Sequence, residues 1–329
     1  MRRKSRVIDP MPIVSHSDGE LEKTPMNRRQ FSAGLSAIAA TATLATAAHA
    51  DPHPLKFLNT EFGDIAYRES GKGEAALFLH GFPLNSYQWR HQLTRLAGLR
   101  RCLAPDFMGL GHTKVREGQD VSPASQAAML AGFLDGLKVT SVDIVANDSG
   151  IAVAQLFAAA HPERVRSLLL TNGDTEKDCP PPALVPVIDL AKQNAFVSSW
   201  LAPWLADKNL ARSDQGLGGM TFTRPSELAD ITIETYLAPL VANPAATHSY
   251  ALALEANALA GIEPKLKALE VPVRIIWGTG DPIFSPESPD YLARLFQKSR
   301  GVKRIDGAKL FFPEEYPDLI EAELRALWA

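Results

Sequence analysis

One stretch, Val145-Ala-Asn-Asp-Ser-Gly150, constrains this chain more than any other. It follows a short apolar run of strand type, Val139 to Ala146, and leads into Gly150 to His161, a segment rich in helix formers. Where a buried strand turns sharply into a helix, the turn residue sits in a strained backbone conformation. The residues two before and two after it must then be small. Centred on Asp148, those positions are Ala146 and Gly150. Centred on Ser149, they are Asn147 and Ile151, and β-branched Ile151 does not fit. The register therefore selects Asp148, and aspartate is one of the few non-glycine types that tolerates positive φ. The plainer alternative is an ordinary strand-loop-helix crossover with a solvent-facing Asp.

The mature chain continues that alternation. Leu55 to Thr60 and Ile65 to Glu69 read as strands joined at the turn Gly63-Asp64. Ala75 to Leu79 is a continuous apolar run, the pattern of a strand covered on both faces, and it ends in His80-Gly-Phe-Pro83. Ser86 to Leu96 reads as a helix and Arg101 to Ala104 as a strand that runs into the glycine-rich loop Gly109-Leu-Gly-His-Thr113. Ser125 to Leu137 is an apolar helix, Val165 to Thr171 the next strand, and Asn172-Gly-Asp174 its stop. Strand-helix alternation predicts a mostly parallel sheet with helices on both faces. The alternation breaks between about Asp174 and Ile262, a stretch with Pro180-Pro-Pro182, Trp200 and Trp204 that reads as an inserted helical cap. Val271 to Trp277 resumes the buried-strand pattern, Val302 to Ile305 is a last strand, and Tyr316 to Trp328 a closing helix. The expected organisation is a core from 51 to 173, a cap from 174 to 262 and the rest of the core from 263 to 329.

With 46% apolar and 22% charged residues, 329 residues can bury a full core as one domain with an insertion. A net charge of −3 without a basic stripe argues against a nucleic-acid partner. Cys102 and Cys179 are too few for a disulfide scaffold and lack zinc-like spacing, so no metal or cofactor is expected. The first fifty residues differ from the rest. Asn27-Arg-Arg-Gln-Phe31 opens an uncharged Ala/Thr-rich run that ends in Ala48-His-Ala50, a small-x-small cleavage signal. That pattern resembles a twin-arginine export signal over about 26–50 and predicts transient use of the export machinery, cleavage near Ala50 and a periplasmic protein. Translation could start at Met1 or at Met26. After cleavage, 27 Lys/Arg face 33 Asp/Glu.

In their order, His80-Gly-Phe-Pro83, Ala104-Pro-Asp-Phe-Met-Gly-Leu-Gly111, Asn147-Asp-Ser-Gly150, His161-Pro-Glu-Arg-Val165 and Trp277-Gly-Thr-Gly-Asp281 resemble the α/β-hydrolase superfamily. Within it they resemble the aspartate-nucleophile branch of haloalkane dehalogenases and epoxide hydrolases. The resemblance covers residues 55–329. It implies an eight-stranded, mostly parallel sheet with a helical cap, Asp148 as nucleophile, and an oxyanion hole from the backbone N–H groups of Phe82 and Ser149. It also implies Asp281 as the acid that orients the base. For Asp281 the residue-level alternative is a turn cap before Pro282. Asn172 stands where another dehalogenase subgroup carries its acid.

A carboxylate that attacks an ester carbonyl yields a reactive anhydride. Attack on an sp³ carbon bearing halide or a strained oxygen yields a stable alkyl ester. Asp148 therefore favours small haloalkane or epoxide substrates, and water activated by a base must then cleave the ester. Two departures from the pattern stand out. The segment Gly307-Ala-Lys-Leu-Phe-Phe312 carries Leu310 where the family has its histidine, and Ser149 replaces the tryptophan that usually follows the nucleophile. His112, in a loop on the C-terminal edge of the sheet, and His248, in the cap, are the candidate replacement bases, with Lys309 a more remote one. Trp200, Trp204, Tyr236 and Tyr250 are candidate cap donors to a leaving group, each with core packing as the alternative role. Two readings follow: a hydrolase with a relocated base, or a non-hydrolytic member, whether lyase, isomerase or ligand-binding protein. Oligomeric state is not readable from these residues.

Overall fold

A computed structural model describes residues 51–329. The export-signal expectation, with Arg28, Arg29 and the Ala48–Ala50 site, falls outside the described residues.

Eight strands form one sheet: β1 (Lys56–Thr60), β2 (Gly63–Ser70), β3 (Ala75–Leu79), β4 (Arg101–Pro105), β5 (Val142–Asp148), β6 (Val165–Gly173), β7 (Val273–Gly278) and β8 (Ser299–Ile305). Their spatial order is β1-β2-β4-β3-β5-β6-β7-β8. The β1/β2 and β2/β4 pairs are antiparallel and all others parallel. Side-chain alternation divides the core into two layers. Ala75, Leu77 and Leu79 of β3 face one layer with Val142, Ile144 and Ala146 of β5, while Ala76, Phe78 and Val145 face the other. Both strands are wholly buried; β3 is apolar throughout, and β5 is apolar apart from Asp143 and its terminal Asn147-Asp148.

Three helices position the site: α1 (Arg90–Leu96), α2 (Pro123–Gly136) and α3 (Ser149–Ala160). The connection after β3 leads outward to β4, and the connection after β4 returns across to β5. The chain thus reverses direction between β3 and β5, and the loops leaving those two strands flank a crevice at the C-terminal edge of the sheet. Ligands in open α/β sheets bind at such switch points. Asp148 and the His80–Pro83 loop stand on its two sides.

Residues 174–262 are helices and turns apart from an isolated bridge, Thr175 to Asp178. The longest helices there are Asp230–Ala242 and Pro244–Ala253. The cap is tied to the core by polar contacts. Tyr236 Oη donates to Glu314 at 2.5 Å, Arg90 pairs with Glu314 at 2.7 Å, and Asn85 Nδ2 donates to the Thr235 carbonyl at 2.8 Å.

The structure differs from the sequence expectations in three places. The turn between β1 and β2 is Glu61-Phe62, and Gly63-Asp64, expected to form it, already belong to β2, paired with Thr60 and Asn59. A helix, Ser288–Leu295, stands between β7 and β8; it buries Ser288, Pro289, Leu292 and Leu295 on one face, but eight residues are a short window in which to read a helical period. Strand β8 starts three residues early because it is an edge strand with exposed polar positions, which masks its pattern.

Candidate active site

Asp148 ends β5 at φ 56°, ψ −132°, outside the regular conformations, and caps the N-terminus of α3. A non-glycine residue held there implies that its surroundings impose it. Three glycines make the approach possible. A Cβ on Gly81 would lie 2.4 Å from Asp148 Cβ, one on Gly150 would lie 2.6 Å from the His80 carbonyl oxygen, and one on Gly173 would lie 2.3 Å from the Asp148 carbonyl oxygen. Gly173 is also the β6 partner of Asp148 across a register shift.

The carboxylate meets two backbone donors. Phe82 N–H and Ser149 N–H both donate to Asp148 Oδ1, at 2.8 and 2.6 Å. Oδ1 thus lies between two aligned amides at a helix N-terminus, a site that favours negative charge. Burial opposes this and pushes the Asp148 carboxyl up to about 6, with the Ser149 and Phe82 N–H groups pulling it back.

A buried polar network supports the turn from beneath. Gln88 Oε1 accepts from Gly81 N–H at 3.2 Å, and its Nε2 donates to Asn147 Oδ1 at 2.6 Å. Asn147 Nδ2 reaches Thr171 Oγ1, the Asn172 carbonyl and the Leu310 carbonyl at 2.7, 3.1 and 3.0 Å. His80 is committed to its own loop: its Nε2 accepts from Phe107 N–H at 3.0 Å and its Nδ1 donates to the Gly81 carbonyl at 2.9 Å. Sequence reasoning passed over Gln88 and Asn147, whose role arises only where β3, β5 and β6 converge.

Two further carboxyls lie on the neighbouring strand ends. Asp281, past β7, accepts from Asn172 Nδ2 at 2.8 Å and from Ile283 N–H at 2.9 Å. Burial raises it to about 6, partly offset by the Ile283 amide and Asn172. Asn172, weighed as an alternative acid position, is instead the side chain that holds Asp281, and its Oδ1 accepts from Gly278 N–H at 2.7 Å. Asp174, past β6, is buried and raised well above the usual carboxylate range, first by desolvation and then by the charges of Asp148 and Asp178. In the sequence it marks only the Asn172-Gly-Asp174 strand stop. Among the described residues, no group of three His, Cys, Asp or Glu side chains is arranged to hold a metal ion.

The profile of the α/β-hydrolase fold family matches residues 76–316, most of the chain. The chain belongs to that family. Stretches of it are 41% identical over 105 residues to epoxide hydrolase 2 of Siraitia grosvenorii, covering 30% of this chain and 32% of that protein. A haloalkane dehalogenase of Mesorhizobium japonicum is 38% identical over 105 residues, covering 32% and 34%. These matches span about a third of the relatives' lengths. Among solved structures, the epoxide hydrolase CorEH superposes with a TM-score of 0.70 at 18% identity, over 84% of this chain and 98% of that one. An α/β-hydrolase fold protein from Burkholderia ambifaria superposes equally well, at 24% identity over 83% and 98%. At such identities the superpositions speak for the fold.

In this α/β hydrolase the expected cap residues divide. Tyr250 Oη lies 3.2 Å from Ser149 Oγ, and its ring stacks on Phe82 with centroids 5.4 Å apart. Tyr236 is committed to Glu314. Trp200 and Trp204 pack against one another at a tilt of 39°, and Trp200 packs on Phe196, which in turn packs on Phe82. An aromatic wall thus runs from Tyr250 through Phe82 and Phe196 to Trp204, with only Tyr250 bringing a polar atom to the turn. A surface hollow between α2, α3 and residues 258–265 shares no residue with this region.

The two candidate histidines are elsewhere. His112 is exposed on its loop, where its backbone N–H donates to Asp106 at 2.8 Å. His248 is buried, its Nε2 accepts from Val197 N–H at 3.2 Å, and burial lowers its affinity for a proton. Neither ring is hydrogen-bonded to Asp148. Lys309 donates to the Gly219 carbonyl of the cap. Leu310, where the resemblance implies a histidine, is 1% exposed and packs in the main core layer, with its carbonyl on Asn147.

Proposed function

We propose that this protein is a hydrolase that opens carbon–oxygen or carbon–halogen bonds at sp³ carbons of small apolar substrates, through a covalent ester on Asp148. The observation that carries this reading is the pair of N–H donors, Phe82 and Ser149, on one oxygen of a strained, buried aspartate. In a serine enzyme such a hole binds the substrate's oxygen. With a carboxylate nucleophile, the carbon attacked in the second step is Asp148 Cγ itself, so the oxyanion forms on Oδ1, where the two amides already point. Oδ2 is then the attacking atom. Each such donor contributes about 3 kcal/mol where charge develops. The aromatic wall of Phe82, Phe196, Trp200 and Tyr250 fits an apolar substrate. Among the relatives, proteins named epoxide hydrolase and haloalkane dehalogenase agree with this chemistry.

Intact-mass measurement after exposure to epoxides and haloalkanes tests the reading. We expect an adduct on the peptide containing Asp148, or diol or halide release that Asp148→Asn abolishes. Neither adduct nor product across a broad panel would favour the non-hydrolytic alternative. We further propose export through the twin-arginine route, supported by Arg28-Arg29 and Ala48-His-Ala50. N-terminal sequencing of the protein from the periplasmic fraction checks it: a chain that begins at Asp51 agrees, and retention in the cytoplasm with Arg28-Arg29 intact does not.

A further inference from the structure

Cleaving an ester on Asp148 requires a base, and Leu310 offers none. The question is which group near Asp148 can move a proton, and the sheet itself supplies one. Strand β6 lies beside β5, Gly173 is paired with Asp148, and Asp174 follows one residue on. Asp174 is 4% exposed. Its backbone is pinned to α3, the helix that begins at Ser149, because Gln155 Nε2 donates to the Asp174 carbonyl at 2.9 Å. Its carboxyl takes a hydrogen bond from the Cys179 thiol and feels the charges of Asp148 and Asp178, both negative. Tyr250, which hydrogen-bonds Ser149, feels both Asp148 and Asp174. Like charges crowded in a buried site disfavour one another's ionised forms. Desolvation and these neighbours favour the protonated form at Asp174.

We propose that Asp174 supplies the acid–base chemistry that a histidine at position 310 would otherwise provide. The proposal rests on the reading of Asp148 as nucleophile. Its proton balance closes for an epoxide. Asp148 Oδ2 forms a bond to a ring carbon, the ring carbon–oxygen bond breaks, and the departing oxygen takes the proton of the neutral Asp174 carboxyl. Asp174 is now a carboxylate beside an ester. It takes a proton from water, and the hydroxide adds to Asp148 Cγ while the negative charge settles on Oδ1 between the Phe82 and Ser149 amides. The tetrahedral adduct collapses, the ester carbon–oxygen bond breaks, and the released alkoxide takes the proton of the added hydroxyl. Asp148 ends as carboxylate and Asp174 as neutral acid, as both began. Epoxide and water have become a diol.

The same balance does not close for a halide. Bromide leaves without accepting a proton, so Asp174 stays neutral and no base is generated for the second step. The substrate class assigned here is therefore one with an oxygen leaving group: an epoxide turns over, whereas a haloalkane alkylates Asp148 once and stops.

Styrene oxide and 1-bromobutane as substrates of the wild-type protein at pH 7.5 test this without any variant. The expected result is repeated diol release from the epoxide, but one equivalent of bromide and a persistent butyl adduct on the Asp148 peptide. Asp174→Asn then slows diol release by about 10²- to 10⁴-fold, because ring opening loses its proton donor and the ester its base. Thermal melting of Asp174→Asn and of Asp174→Leu shows that the variants are folded. Steady turnover of 1-bromobutane by the wild type, or wild-type diol release by Asp174→Asn, overturns the role of Asp174 and leaves Asp148 standing. Single turnover in ¹⁸O-water that places no label in the Asp148 carboxyl overturns the nucleophile reading and this proposal with it.

Discussion

The turn around Asp148 and the segment Gly307–Glu315 lie on either side of Asn147, yet they are built for different work. At the turn, three glycines admit close backbone approach, a strained aspartate faces two amides, and Gln88 and Asn147 brace it with directional bonds. In the other segment, Leu310, Phe311 and Phe312 are buried apolar side chains. Several of its polar groups serve the cap: Phe311 N–H donates to the Thr221 carbonyl at 2.9 Å, Lys309 N–H to Thr223 Oγ1 at 3.1 Å, and Glu314 accepts from Tyr236 of the cap as well as from Arg90 of α1. The machinery for attack is thus separable from the place where a base is expected. The second region has become a seat for the lid, and proton transfer must come from the sheet edge.

Restoring a base would break this contrast most forcefully. Leu310→His places an imidazole beside the turn and should shorten the lifetime of a butyl adduct on Asp148 by about 10²- to 10⁴-fold. Adduct decay followed by mass spectrometry measures it, and an unchanged lifetime would sink the assignment of position 310. Crowding the turn comes next. Gly81→Ala puts a methyl group 2.4 Å from Asp148 Cβ and shifts the Phe82 amide, so alkylation should slow by about 10²- to 10³-fold while the fold survives. Alkylation at the wild-type rate would show that the close approach is not needed.

The charge of Asp148 gives a third test. Its carboxyl is raised from an ordinary 3.8 to about 6, so the native state holds this proton more tightly than the unfolded chain does. The corresponding stabilisation is fully present below about pH 4 and lost as pH rises through about 6, amounting to about 3 kcal/mol for a shift of this size. Denaturant unfolding of wild type and Asp148→Asn at pH 4, 5 and 6 should therefore diverge, the wild type losing stability relative to the variant. Alkylation should gain rate over the same range, because only the carboxylate attacks. Parallel stability curves would refute the raised carboxyl. The smallest effect is expected from Asn172→Ala, which removes the side chain between Asp281 and the Gly278 backbone and should cost about 1–3 kcal/mol in the same unfolding measurement.

Much of the fold was legible because its signals are local. The buried runs of β3 and β5, the small residues around Asp148 and the break in alternation at the cap each follow from a few consecutive residues. The helix Ser288–Leu295 was less legible because it is only eight residues long, and the polar edge strand β8 because none of its positions is fully buried. Among the site candidates, Asp148, Ser149, Phe82 and Tyr250 are brought together, and Asp281 joins them through Asn172. His112 points to solvent, and His248 and Tyr236 are spent on other partners. Nothing in the neighbours of a histidine or tyrosine along the chain states which carbonyl or amide it will meet across the fold.

What the sequence determined by itself is the turn. Sterics at Ala146 and Gly150 put an aspartate at the end of a buried strand, and the chemistry of a carboxylate narrows the bonds it can attack. Only the tertiary structure decided how that aspartate is held and what surrounds it. Phe82 lies 66 residues away from it in sequence, and Asp281 far beyond that. Asp174 becomes its neighbour only because β6 hydrogen-bonds to β5 in a register that pairs Gly173 with Asp148. Sheet pairing and desolvation are properties of the folded chain, and they turn an aspartate in a strand stop into a buried acid.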